Sequence, residues 1–365
     1  MTENLRNRCE LFERNRSAVS GKFLFENNIM SIAAGLIFTG ADKEADIEKL
    51  KECRRILKKH TGFFSEYRDT IKLALLSEMA LAAEPEQYLK DVKAVYQKMH
   101  KGHFKDNSYM VLAAMLICDL GRQEDADEII EKHNEIMQQM NKEHPILTDA
   151  EDISYVILLA LSDRPVDAIL SDMSAYSDCL KAAFRHKVGA DSIQGLSEYL
   201  ALTDADVQEK CDKVIRLYDA LKESKADIGG GHVFFALGTL TGIDDTTESI
   251  VSEILEAEAF LKNCRGFDEK SIDKKDRLMF AVLLTAASCG ADASVINNTF
   301  INSALGIIKA KHIAAMITII SNVLPSVIGA AVGGNDSEAD DDEAAQPEQP
   351  DTEKDHGQEE AKTDS

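Results

Sequence analysis

Seven short, almost wholly apolar segments recur along the chain. They are IMSIAAGLIF from Ile29, IKLALLSEMALAA from Ile71, SYMVLAAMLICDL from Ser108, DISYVILLAL from Asp152, SIQGLSEYLAL from Ser192, HVFFALGTLTG from His232 and RLMFAVLLTAAS from Arg277. Their starts lie 37 to 45 residues apart, about 41 on average. Leu, Ala, Met and small residues dominate them, a composition that favours helix and lets helices approach closely. Longer stretches with one polar face lie between. ADIEKLKECRRILKKH sets Ile47, Leu50, Cys53 and Leu57 at helical spacing; PEQYLKDVKAVYQKMH does so with Tyr88, Val92, Val95 and Met99; DADVQEKCDKVIRLYDALK does so with Val207, Cys211, Val214 and Leu217. The alternation predicts an all-α chain of about seven helical hairpins, each an outer amphipathic helix and an inner apolar one, over roughly residues 20–310. A period near 41 fits an α-solenoid of HEAT or armadillo type, and a closed α/α toroid gives the same pattern.

Two C-terminal features break this rhythm. Residues 313–334, from Ile313 to Gly334, carry no charge over 22 positions. That is long enough to cross a bilayer, with Lys309, Lys311 and His312 ahead of it placing the helical part on the cytoplasmic side. Asn322 and Pro325 in its middle fit a terminal core helix or end cap equally. Residues 335–365 hold 13 acidic residues and two lysines, with a DDDE run, and read as a disordered acidic tail. The expected organisation is therefore a helical-repeat domain over 1–310, an apolar helix or membrane segment over 311–334, and the tail.

That tail changes the meaning of the overall charge. The 365 residues carry 64 Asp+Glu against 41 Lys+Arg, a net −23. The tail accounts for −11, whereas residues 1–60 are net +3. The balance excludes a general nucleic-acid binder, which needs a cationic face to displace counterions. Seven scattered cysteines without a CxxC, and an N-terminus without an apolar leader, point to a reduced, cytoplasmic protein.

Candidate chemistry gathers in the loops ahead of the inner segments. They hold His60, His100, His103, His144, His186 and His232, with Arg68, Asp69, Asp106, Asp149, Glu151, Asp152 and Asp191. In a stacked array these loops share one edge, so His60, His103, His144 and His186 are candidate ligands for a divalent metal. HPILTDAED concentrates His144, Asp149, Glu151 and Asp152, a set suited to acid–base catalysis of hydrolysis. The competing reading is helix capping: Thr148-x-x-Glu151 has capping-box order, and histidines ending outer helices offset the helix dipole. Lys51, Arg54, Arg55, Lys58 and Lys59 form a cationic stripe that could hold an anion or simply be solvated. Gly229-Gly230-Gly231 reads as a glycine C-cap joining two helices rather than an anion cradle. No P-loop, GxSxG or HExxH occurs.

Four strings, ELFERNR…FLFENN, LKECRRILKKHTGFFSEYRDT, HPILTDAED and SIQGLSEYLAL, resemble a bacterial family, the domain-of-unknown-function family numbered four thousand and three. The resemblance covers most of residues 1–300 and neither the 313–334 segment nor the tail. It implies a bacterial, cytoplasmic, all-helical protein, and it carries over no activity, cofactor or site residue. The leading functional expectation is a helical-repeat scaffold for a partner protein or peptide. The alternatives are a metal-dependent or acid–base hydrolase working at the loop edge, and a cytoplasmic domain anchored in the membrane.

Overall fold

The computed structural model describes residues 1–300 apart from 24–25, 63–64, 102–106, 144–149, 227, 269, 292–294, 297–298 and 300. The described residues belong to one compact unit. Among the described residues there are fourteen α-helices, three short 3-10 turns and no strand. The expected apolar terminal helix and acidic tail lie outside the described residues.

The odd-numbered helices are α1 (Glu3–Lys22), α3 (Ile47–His60), α5 (Pro85–Lys101), α7 (Ala126–Glu143), α9 (Val166–Phe184), α11 (Val207–Glu223) and α13 (Thr247–Lys262). The even-numbered ones are α2 (Asn28–Gly40), α4 (Lys72–Leu81), α6 (Ser108–Asp119), α8 (Asp152–Leu161), α10 (Ala190–Leu200), α12 (His232–Ala236) and α14 (Lys274–Ser288). The two sets differ in burial as their sequences require. In α3 only Leu50, Cys53 and Leu57 are buried, one stripe of a two-faced helix. In α2 every residue from Ile29 to Thr39 is buried, and in α8 every residue from Asp152 to Ala160. Helices so enclosed can carry apolar side chains all round.

Local signals set the helix starts. Asp46, Asn107, Asp206 and Thr246 each accept a backbone N–H from the first turn of α3, α6, α11 and α13, and Pro85 occupies the first position of α5, where its missing N–H costs nothing. The end of α11 departs from the sequence expectation. Ser224 and Lys225 close it, Lys225 taking the left-handed φ of 61°, so the helix stops before the glycine triplet. Gly231 instead leads directly into α12, its N–H donating to Ser192 Oγ at 2.7 Å.

The sixth inner segment also differs from expectation. HVFFALGTLTG forms only five residues of α-helix before tightening into a 3-10 turn over Leu237–Leu240. Gly238 there meets the Tyr199 ring so closely that no side chain fits between them.

Each odd helix except α11 packs against the even helix that follows it; α11 packs instead on the 3-10 turn after α12 and meets α12 through the Tyr218 and Phe234 rings. Helices α6, α8, α10, α12 and α14 lie side by side in that order. Gly231 beside Ser192 brings the starts of α10 and α12 together, and Arg164 Nη1 donating to the Ala201 carbonyl (2.6 Å) brings the ends of α8 and α10 together. These inner helices therefore run in the same direction, with their N-terminal ends on one side.

The chain also returns to its beginning, because α1 packs against both α13 and α14. Three consecutive carbonyls after α13 receive donors from three different helices. Arg265 O accepts from Arg16 of α1, Gly266 O from Asn28 of α2 (3.1 Å), and Phe267 O from Arg277 of α14 (2.9 Å). Phe267 sits edge-on to Phe12 of α1 at 5.6 Å and to Phe280 of α14 at 6.1 Å. Gly266 has φ 82° and faces the Arg16 guanidinium, so only glycine suits it.

Candidate functional site

The structure disperses part of the expected loop edge. His60 ends α3 and places Nε2 3.0 Å from Glu86 Oε1 of α5. His186 is exposed, at a left-handed φ of 67°, just past the end of α9. His103, His144 and Asp149 lie outside the described residues. Among the described residues, no group of three or more His, Cys, Asp or Glu side chains is placed to hold a metal ion. Lys51, Arg54, Arg55, Lys58 and Lys59 are all exposed on α3, Lys51 pairing with Glu48 at 2.7 Å and Arg54 lying over the Phe23 ring.

The HPILTDAED loop arrives at α8 differently from its capping-box order. That helix begins at Asp152, so Glu151 is the N-cap residue, in helical conformation and without a side-chain cap bond, rather than the third residue of the helix. Thr148 lies outside the described residues. The Glu151 carboxylate is instead close enough to His232, the first residue of α12, to raise the imidazole's affinity for a proton. Burial acts the opposite way and dominates, so His232 titrates below the usual histidine range and is neutral at pH 7. Its Nδ1 is buried with no hydrogen-bond partner among the described residues.

Two more polar groups sit beside this pair. Tyr155, one turn into α8, is 2% exposed, and Glu198 of α10 is fully buried. Burial first, then the neighbouring acidic groups of Glu198, Tyr199 and Glu151, push the Tyr155 phenol far above the usual tyrosine range, so it stays protonated. Phe235 joins the two halves: its ring meets His232 at 5.8 Å and Tyr155 at 6.3 Å, edge-on in both cases. Three neighbouring inner helices thus supply a neutral imidazole, a protonated phenol and two carboxylates to one region. That set can accept a proton at His232 and donate a hydrogen bond from Tyr155.

A cleft of about 320 Å³ opens between α7, α9 and α10. Met140, Leu170 and Met173 make its apolar wall; Asp178, Lys181 and Gln194 make its polar one. Gln194 and Ser197 line it from α10, the helix that carries Glu198. Its volume is at the lower end of small-molecule sites.

The sequence reading singled out Glu151, Asp152 and His232, of which Glu151 and His232 come together while Asp152 is buried at the start of α8. It passed over Tyr155 and Glu198, although a carboxylate inside an otherwise buried helix was a legible signal. His133 of α7 was missed too: fully buried, it is pushed down to about 4 by desolvation. A further polar cluster lies at the other ends of the inner helices. Tyr88 donates to Asp119 Oδ1 at 2.6 Å. Asp119 keeps solvent contact, but its carboxyl is crowded by protein and rises to about 7, while Glu78 is raised by burial and by the Asp119 charge.

No helix among the described residues is long and apolar enough to cross a membrane. A family model described as Protein of unknown function (DUF4003) matches residues 15–313, in agreement with the resemblance drawn from the sequence. No curated protein and no solved structure is significantly similar to the chain.

Proposed function

Because this chain belongs to the DUF4003 family, whose description assigns no activity, we infer its function from the site itself: it is a closed ring of seven helical hairpins that binds a small polar molecule and performs acid–base chemistry on it. The contact of α1 with α13 and α14 supports a ring over an open solenoid. A ring lacks the long concave face on which a solenoid holds a partner. The observation that carries the site is the buried, unpartnered Nδ1 of His232 among the described residues, set beside Glu151, Tyr155 and Glu198. Burying such groups is costly, and sites that gather titratable side chains with displaced proton affinities are where chemistry concentrates. In this reading Glu151 orients and polarises His232, the neutral imidazole is the base, and the Tyr155 phenol, held protonated, donates a hydrogen bond to the bound molecule. The reaction class is proton transfer with hydrolysis as its simplest outcome.

A fragment screen followed through the histidine ring resonances tests this reading. Polar fragments are expected to shift His232 and leave His60 unmoved, and His232→Asn is expected to remove their binding. A library whose members shift His60 as readily as His232, or shift neither, counts against the site.

One observation favours a second reading, the protein-interaction scaffold. A shallow polar groove of about 520 Å³ runs along α7 and α9, lined by Glu135, Gln138, Lys142 and Asp167. A peptide laid there would be released by Lys142→Glu with Asp167→Lys, and unchanged peptide binding by that variant would refute it.

A further inference from the structure

The cleft between α7, α9 and α10 is lined by two helix faces. Leu170, Ser174, Ser177 and Lys181 recur at helical spacing on α9, and Ala190, Gln194 and Ser197 do so on α10. Gln194 and Ser197 are buried, whereas Ser174, Asp178 and Lys181 reach solvent, so α10 supplies the floor and α9 the rim. Met140 of α7 and Met173 of α9 are buried in the apolar wall. Serines on α9 and Ala190 on α10 are too small to fill the space between the helices.

The polar groups on the rim are not used by the fold. Asp178 and Lys181 stand three positions apart, the spacing at which opposite charges on a helix usually pair. They form no ion pair with each other, and among the described residues neither side chain has a hydrogen-bond or ion-pair partner. Ser174 and Ser177 are equally unengaged among the described residues. Ser77 and Ser197, by contrast, each donate to the carbonyl one turn back, at 2.9 and 2.7 Å.

We propose that this cleft binds a free α-amino acid with an apolar side chain. A simple anion would meet the Asp178 carboxylate, and a simple cation the Lys181 ammonium; a zwitterion satisfies both. Lys181 receives its carboxylate, Asp178 receives its ammonium, and the two serine hydroxyls are at hand for either group. The ligand's side chain lies on Met140, Leu170 and Met173. Methionines adapt to differently shaped apolar groups, so the selectivity is for the apolar class rather than for one member. A cavity of about 320 Å³ suits a ligand of this size. The site shares no residue with the His232 region and stands apart from the acid–base reading.

Isothermal titration calorimetry of the full-length chain with leucine, methionine and phenylalanine tests the proposal. All three are expected to bind saturably, and glutamate and lysine are not. N-acetyl-leucine lacks the ammonium and leucine amide lacks the carboxylate, so each should bind about tenfold more weakly than leucine. Asp178→Asn and Lys181→Met, both at exposed positions that leave the fold intact, should weaken leucine binding by a similar factor. The Met140 and Met173 methyl resonances should shift on addition of leucine. Failure of all three amino acids to bind would overturn the proposal. So would leucine binding that the acetyl and amide derivatives match, that both substitutions leave unchanged, or that leaves the Met140 and Met173 methyls unmoved.

Discussion

Replacing Arg16 by leucine should loosen the junction between the first and last helices more than any surface change on α1. Arg16 is 5% exposed and donates to the Arg265 carbonyl and to Asn28 Oδ1 at 2.6 Å, with its guanidinium 5.8 Å from the Phe267 ring centroid. Leucine leaves two acceptors without their donor, at about 1–3 kcal/mol each. It also loses a cation–π contact worth about 1 kcal/mol. Two effects offset part of this. Burial already lowers the proton affinity of the guanidinium, so that cation is costly to keep, and its Nε has no partner among the described residues. Leucine further gains about 2 kcal/mol of apolar burial. The net expectation is a loss of about 2–3 kcal/mol, read as a lower urea midpoint in circular dichroism. Hydrogen exchange should show lost protection in α1 and around residues 263–268, with α5 and α6 unchanged. Arg14→Leu is the control, since Arg14 is half exposed and 3.4 Å from Glu44; it should cost under about 1 kcal/mol. If the two substitutions cost the same, or if α1 keeps its protection in Arg16→Leu, the junction does not hold the chain together as described.

Two other perturbations test the interior. The unfolded chain protonates His133 below about 6.5, but the folded chain only below about 4, so in that window the unfolded state binds more protons and stability falls as the pH drops. The whole window amounts to about 3 kcal/mol, and urea unfolding at pH 7 and pH 4.5 should show that His133→Leu loses less stability on acidification than the parent chain; an equal loss would remove His133 from the acid response. Gly195→Ala places a methyl 2.9 Å from the Phe235 ring, which should cost about 1–3 kcal/mol and shift the His232 ring resonances through Phe235; a neutral effect would mean that α10 and α12 are not in such close contact.

Most inner helices were legible because a helix enclosed on every side shows up as an unbroken apolar run. The run from Ser108 starts where α6 starts, that from Asp152 where α8 starts, and that from Ile29 one residue inside α2. The same reasoning overran at HVFFALGTLTG, where the apolar run continues but Gly238 against Tyr199 enforces a tighter turn. What periodicity cannot show is which buried polar groups meet. Tyr155, Glu198 and His232 lie 43 and 34 positions apart, and only the side-by-side packing of α8, α10 and α12 brings them together. Glu151 was visible as a polar residue in a suggestive loop, yet its capping-box spacing pointed to a local partner and away from His232. The junction of α1 with α13 and α14 was equally hidden, since it joins residues about 250 positions apart.

The proton affinity of His232 tests the site most directly. Titrating its ring carbon resonance by NMR in the parent chain and in Glu151→Gln isolates the one charge that opposes burial at this imidazole. The account predicts a midpoint below the usual 6.5 in the parent chain and a lower one still in Glu151→Gln. An ordinary midpoint in the parent, or one that Glu151→Gln leaves in place, would mean that His232 and Glu151 do not share a buried site, and the acid–base function built on them would fall.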